Sequence, residues 1–598
     1  MKKLLKYLKE YKKESILAPL FKMLEASFEL FVPLVMAQII DVGIKNEDVG
    51  YILRMGGILV LLAVVGLTCS LTAQYFAAKA AVGFSTSLRN DLFRHIQTLS
   101  YTEQDVVGTA TLITRMTSDV SQVQSGLNLT LRLLLRSPFI VLGTMIMSFT
   151  VNVKAAMTFL VTIPLLCLVV FGIMAISMPL YKKVQQQLDQ VTRTTRENLT
   201  GVRVIRAFNR QEAETKRFQE ENGLLVQPQV FVGKISALMN PITYVIINLS
   251  IVAIIWISGK QVNIGVLTQG ETVALVNYMS QILVELIKMA NLIVSMSKAF
   301  ACANRISAVM DIEPSIVGGT FDGKAAPAKE SAHGKKKAAG KDKAGQKAAK
   351  SVPCVSFKDV FFKYKNAKED SLEHIDFEVQ PGQTVGIIGG TGSGKTSVVN
   401  LIPRFYDVRE GQVLVDGTDV RDYTLDALRD KAGVVPQKSV LFKGSLKDNM
   451  LWGKKDATEE EIYKALDTVQ AREFVEQKGQ GLAMEIEQNG KNLSGGQRQR
   501  LTIARALVKQ PEILIMDDSA SALDFATDAA LRRAIKENTQ NMTVFIVSQR
   551  VSTIRNADMI LVMDDGRLAG LGTHSELLKS CDVYREICLS QLSKEEVQ

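Results

Sequence analysis

Residues 384–401 read TVGIIGGTGSGKTSVVNL. A short β-branched apolar run meets a glycine cluster, and an amphipathic helical pattern follows. Gly389, Gly390, Thr391, Gly392, Ser393, Gly394, Lys395 and Thr396 fit the spacing G-x-x-x-x-G-K-[ST], with Ser397 directly after. That spacing has a mechanism only when a strand precedes it and a helix follows, and both patterns are present. Glycines let successive backbone N–H groups wrap phosphate oxygens, and the helix N-terminus adds partial positive charge. Lys395 then reaches the β/γ-phosphates and the Thr396 hydroxyl ligates Mg²⁺. The stretch predicts a strand–loop–helix unit that cradles a nucleoside triphosphate.

The surroundings extend this unit into a domain. From Val352 onward, short strand patterns (VSFKDVFFKY, FEVQ, GQVLVDG, EILIMDD, TVFIVSQ) alternate with amphipathic helices. Such alternation predicts an α/β domain with a largely parallel sheet. Asp517 closes the apolar strand EILIMD, where a Mg²⁺-binding carboxylate would sit, and Asp518 follows it. Leu493, Ser494, Gly495, Gly496 and Gln497 form LSGGQ, 98 residues after Lys395, and a helical pattern follows them. Tyr364 ends VFFKY, Gln437 lies in VVPQKSV, Asp524 ends SALD, and Gln549 ends TVFIVSQ. Taken singly, Tyr364 would be strand packing and Gln437 a solvated loop amide.

The first half has a different composition. Residues 55–78, 155–180 and 235–259 contain no Asp, Glu, Lys or Arg, and each exceeds the roughly 20 apolar residues a helix needs to cross a bilayer. Residues 14–40, 133–152 and 272–297 are apolar with a few charges. Six spanning helices put both termini on one side. The basic N-terminus MKKLLKYLKEYKK and the Arg/Lys-rich segments 79–130 and 180–234 mark that side as cytoplasmic, so the expected location is the plasma membrane, the bacterial inner membrane. The run 180–234 reads as two helical extensions joined by a turn near Gly223 or Pro228. No signal-peptide pattern is present.

The net charge of +10 is concentrated in residues 324–350, which hold nine Lys against Glu330 and Asp342. This argues against a nucleic-acid-binding surface and for a solvated tether, with contact to anionic headgroups as the other reading. The six cysteines have no metal-ligand spacing. The expected domains are a six-helix membrane domain at 1–313, a Lys/Ala/Gly-rich linker at 314–351, and a nucleotide-binding domain at 352–598.

The motif order over residues 350–585 resembles the nucleotide-binding domain of ABC transporters, and the first half looks like the membrane domain of a six-helix ABC exporter. Residues 108–120 and 197–218 are similar to that family's two cytoplasmic loop regions, which end in short helices that dock on nucleotide-binding domains. The resemblance implies ATP and Mg²⁺ as cofactors. It implies that Tyr364 stacks on adenine and that Thr396, Gln437 and Asp517 serve the Mg²⁺. It also implies that LSGGQ and Asp524 face a second subunit.

Three positions depart from the family's pattern. Asp518 stands where the family has a catalytic Glu, and Gln549 where it has a His. Gln488 replaces an acidic residue before the signature. An Asp is one methylene shorter than Glu, and a Gln amide carries neither a proton for transfer nor a positive charge. With LSGGQ intact, these changes imply a heterodimer, in which this chain holds a degenerate site and lends its signature to a partner half-transporter with the Glu and His. Alternatives are a homodimeric lipid or peptide exporter, or an ATP-gated membrane protein that does not transport. For the cargo, a drug or lipid-like amphipathic compound as in the family's heterodimeric multidrug exporters, Glu25, Glu29 and Glu285 within the membrane helices and Asp41 at an outer end are candidate pathway residues. Helix–helix ion pairing is the competing reading.

Overall fold

The computed structural model describes residues 2–323, 352–519, 523–538 and 541–592. The chain forms two compact units, Met1–Gln97 with Thr109–Ile312, and Thr98–Gly108 with Glu313–Gln598.

Among the described residues, six helices are long and apolar enough to cross a membrane: Lys3–Ile44, Val49–Thr98, Thr109–Val151, Val153–Thr200, Gln211–Asn263 and Gln269–Met310. The second, at 50 residues, is about 75 Å long at 1.5 Å per residue. A bilayer core is about 30 Å thick, so more than half of this helix lies beyond the hydrocarbon. Phe159, Leu166, Ile254, Tyr278 and Ile282 are fully buried where the first, third, fourth, fifth and sixth spanning helices meet. The Tyr278 hydroxyl donates to the Leu30 carbonyl at 2.7 Å, which satisfies the polar end of an otherwise apolar anchor.

The turn expected near Gly223 or Pro228 lies elsewhere. Helix Gln211–Ala237 runs through both residues. The reversal falls at residues 201–210, around the short helix Val202–Ala207, with Asn209 at φ 51°. An interior Gly costs a helix about 1 kcal/mol and Pro about 3. Close packing of Gln211–Ala237 along Val153–Thr200 outweighs both.

The second unit is an α/β fold. One sheet has the order β2-β1-β4-β5, with β1 Val355–Phe362, β2 Leu372–Val379, β4 Glu410–Val415 and β5 Thr418–Asp419. The larger sheet has the order β12-β11-β3-β10-β9-β6. Its strands are β3 Thr384–Gly389, β6 Ala432–Val435, β9 Ile513–Asp517, β10 Thr543–Val547, β11 Met559–Asp564 and β12 Arg567–Gly572. Only β12 is antiparallel to its neighbour in that sheet. Strand β9 is buried at every residue. Ile513 and Ile515 pack on one face, and Leu514 and Met516 on the other. Period-two alternation with both faces covered explains why parallel strands read as continuous apolar runs.

The unit also includes the short helix Tyr101–Val107, capped by Ser100 and Glu103. The Tyr101 ring lies tilted against Phe405, with centroids 4.8 Å apart, and the Tyr406 hydroxyl donates to Asp105 at 2.6 Å. Residues 316–323 are sewn to the same unit: Gly319 N–H donates to Tyr423 O at 2.7 Å, and Phe321 N–H to Asp422 O at 2.9 Å. The Lys-rich stretch 324–351 lies outside the described residues.

Candidate functional site

Sheet topology brings the motifs together. Strands β3 and β9 flank β10, all parallel, with Val547 level with Ile387 on one side and Asp517 on the other. The loops after these strands therefore leave the same edge, each about 5 Å from the next. One carries the glycine-rich loop, the second Asp517 and Asp518, the third Gln549. In open α/β sheets ligands bind at this carboxyl edge.

Within the glycine-rich loop, Gly389 has φ 155° and a Cβ there would lie 2.0 Å from the Met563 carbonyl oxygen. Gly394 has φ 92°, and its Cβ would meet Leu372 at 2.6 Å. Larger residues fit neither position. Lys395 Nζ donates to Gly389 O at 3.0 Å and Gly390 O at 2.5 Å, so it lies inside the loop it follows. Burial pushes the Lys395 ammonium pKa down, while Asp518 and Asp517 oppose that. Thr396 Oγ1 donates to Asp517 Oδ1 at 3.0 Å. Burial pushes the Asp517 carboxyl up, the Thr396 hydrogen bond counters it, and neighbouring Asp518 pushes it further up. A buried carboxylate beside a hydroxyl is a hard oxygen donor set that suits Mg²⁺.

Asp518 has φ 44°, a left-handed conformation that Asp tolerates better than most residues. Its N–H donates to Val547 O at 3.0 Å, and its Oδ2 lies 3.5 Å from Gln437 Nε2. Tyr364 is half-buried. Its hydroxyl is 3.0 Å from Ser397 Oγ and its ring lies edge-on to Phe362 and Tyr406.

Ser494 caps helix Gly495–Val508: Gln497 N–H donates to Ser494 Oγ at 3.2 Å and Ser494 N–H to Gln497 Oε1 at 3.0 Å. LSGGQ is thus a helix start whose first turn is a reciprocal capping box. A cleft of about 420 Å³ lined by Gln437, Asn489, Gly495 and Arg498 separates this helix from the Gln437 loop. Asp524 accepts from Thr527 N–H at 3.1 Å, and this bonding holds its carboxyl below the usual range. Gln488 begins a single 3₁₀ turn before Asn489, which has φ 60°.

The Gln549 side chain is exposed, while its backbone is pinned by a residue that no motif marks. Gln591 Nε2 donates to Gln549 O at 2.7 Å, and Gln591 Oε1 accepts from Val551 N–H at 2.8 Å. Both hydrogen-bonding groups of one amide, on the C-terminal helix Asp582–Gln591, hold the loop that follows β10.

In the first unit the candidate carboxylates are all engaged. Glu25 pairs with Lys22 at 2.5 Å. Asp41 accepts from Thr268 Oγ1 at 2.5 Å and Gly270 N–H at 2.7 Å, capping the start of the sixth spanning helix. Glu285 accepts from Arg136 Nη1 at 2.7 Å, Ser137 Oγ at 2.8 Å and Lys288 Nζ at 2.8 Å. Arg136 Nη2 also donates to Glu29 at 2.6 Å. Arg136, which the sequence reading left out of the site, is the hub of this cluster. The available signal was a buried-length cation within an apolar run, which needs a partner wherever it lies.

A phosphate loop, a Mg²⁺-type carboxylate and a capped LSGGQ helix on one α/β unit, joined to six spanning helices, define an ATP-driven membrane transporter. Residues 15–286 match the ABC transporter transmembrane region, and residues 372–521 match the ABC transporter family. The chain is 34% identical over 595 residues to the ABC transporter ATP-binding protein YfiB of Bacillus subtilis, covering 100% of this chain and 99% of that protein. It is 35% identical to Rv1273c of Mycobacterium tuberculosis, an ABC transporter ATP-binding protein, over 98% of this chain and 97% of that one. It is 33% identical to the ATP-dependent lipid A-core flippase of Desulfotalea psychrophila over 82% of both chains. A bacterial Atm1-family ABC exporter with ATP bound has the same fold, with a TM-score of 0.75 at 22% identity over 98% of this chain and 99% of that one. The chain belongs to the ABC transporter family. It has the half-transporter architecture of an exporter, whose ATPase domain is cytoplasmic and which works as a dimer in a lipid bilayer.

Proposed function

We propose that this chain is one half of a heterodimeric exporter of amphipathic, lipid-like compounds, and that its own nucleotide site is a slow clamp. The observation that carries the reading is Asp518, the residue after Asp517 at the carboxyl edge of the sheet. The Thr396–Asp517 hydrogen bond and the glycines of the phosphate loop support Mg-ATP binding. Thr396, Asp517 and Gln437 would hold the Mg²⁺, Lys395 and the backbone N–H groups of residues 389–397 the phosphates, and Tyr364 the adenine. The bound metal would neutralise developing phosphate charge. Asp518 is left to orient water with a side chain one methylene short. Misplacement of about 1 Å can cost about 100-fold in rate. Gln549 offers an amide where a proton-carrying ring would assist. The capped LSGGQ helix, together with Asp524, serves the partner's site, where the partner supplies Glu and His. The flippase relatives favour a lipid-like cargo.

The test is ATP turnover by the purified chain, alone and co-purified with a half-transporter bearing Glu and His. Binding without turnover when alone, and turnover when partnered, is the expected result. Fast turnover by the chain alone would favour the homodimeric reading instead.

A further inference from the structure

The ion cluster in the membrane unit borders a cavity of about 410 Å³, lined by the first, third and sixth spanning helices. That volume is in the range of small-ligand pockets, about 300–1,000 Å³. It accommodates a headgroup, with acyl chains left outside.

The charges on its wall are unevenly spent. Arg136 lies behind it and Glu285 reaches its wall, their side chains 7% and 4% exposed, and the two neutralise each other. Glu29 and Lys288 line it, at 40% and 41% exposed. Lys288 has three donors and uses one of them on Glu285. Glu29 receives Arg136 on one oxygen only, and a carboxylate has about four acceptor positions. Gln281 also lines the cavity, and its Oε1 has no hydrogen-bond partner among the described residues. The wall therefore offers anionic and amide acceptors beside a cationic donor, with apolar Val32, Met36 and Val284 adjoining. A cation alone would gain Glu29 but face Lys288. An anion alone would meet the reverse.

Depth follows from the helices. Asp41 marks the outer end by capping the sixth spanning helix at Gly270. Glu29 lies twelve residues inward of Asp41, about 18 Å at 1.5 Å per residue. In a hydrocarbon core about 30 Å thick, this puts the charged end of the cavity, at Glu29 and Lys288, in the cytoplasmic half, while its Met36 end reaches across the midplane.

We propose that this cavity receives the headgroup of a zwitterionic amphiphile drawn from the inner leaflet, its ammonium against Glu29 and Gln281 and its anionic group against Lys288. This rests on the exporter reading and narrows its cargo. The test is equilibrium binding, without nucleotide, to the full chain in nanodiscs. The probes are lysophosphatidylethanolamine, lysophosphatidylglycerol and an alkyltrimethylammonium of matched chain length. The zwitterion is expected to bind at least tenfold more tightly than the other two. Glu29→Gln should shift selectivity about tenfold toward the anionic probe, and Lys288→Gln about tenfold toward the cationic one. Both variants keep the Arg136–Glu285 pair, and their melting temperatures report folding. Replacing a neutral glycolipid in the nanodisc stepwise by phosphatidylethanolamine should compete with the probe, which identifies bilayer lipid as the source. Absence of that competition would overturn the leaflet origin. Equal affinity for the three probes, or selectivity shifts in the same direction for both variants, would overturn the proposal. Selective binding combined with no transport by the partnered complex would instead count against the exporter reading.

Discussion

Replacing Arg136 by Met should destabilise the membrane unit more than any single change at its surface. Arg136 is 7% exposed and makes charge-assisted bonds of 2.7 Å to Glu285 and 2.6 Å to Glu29. Met fills much of the volume, so the cost is electrostatic. Glu285 would remain buried, with Ser137 and the half-exposed Lys288 as its partners. Removing one member of a buried pair typically costs about 3–5 kcal/mol. Because Lys288 still compensates part of the charge, the lower end, about 3 kcal/mol, is expected. At about 2–4 °C per kcal/mol, that is a fall of roughly 6–12 °C in apparent melting temperature. The double variant Arg136→Met/Glu285→Met removes both charges and should melt above the sum of the two single effects, with a coupling of about 2 kcal/mol. The measurement is a thermal melt of the detergent-purified chain followed by size-exclusion chromatography. An Arg136→Met variant that melts with the wild type, or a double variant whose loss equals the sum of the singles, would refute the reasoning.

Other consequences concern the nucleotide unit. Asp518→Glu combined with Gln549→His should raise turnover at this chain's site by about 100-fold, read in a partnered complex whose partner Glu is changed to Gln; a rise below threefold counts against a degenerate site. Lys395→Ala should weaken ATP binding at least tenfold in a fluorescent-nucleotide titration, and chelating Mg²⁺ should weaken it in the wild type as well. Gln591→Leu should free the loop after β10, since it removes both bonds to Gln549 and Val551; faster amide exchange at Val551, with unchanged exchange in β9, is the expected readout. Tyr406→Phe removes the bond to Asp105 and should loosen helix Tyr101–Val107, read as faster amide exchange in that helix.

Much of the nucleotide site was legible because its chemistry is local. A phosphate loop needs glycines, Lys and Thr within eight residues, and a capping box needs Ser and Gln three apart, so spacing alone carries them. The six spanning helices were legible for a similar reason, since each must be apolar along its own length. The turn at residues 201–210 was not. Gly223 and Pro228 are breakers by intrinsic propensity, but helix Gln211–Ala237 is held by its neighbour. Gln591 was invisible too, because a lone amide on an amphipathic helix has no pattern that points 42 residues back.

By itself, then, the sequence determined the two kinds of domain and the order of the nucleotide loops, with Asp518 and Gln549 among them, all features carried by neighbouring residues. Only tertiary structure decided what the membrane charges do. Arg136 meets Glu285 across 149 positions and Glu29 across 107, and no periodicity along one helix encodes which residues face it from two others. Burial is what turns those separate charges into one cluster, because an ion removed from water is stable only where packing supplies its counter-ion.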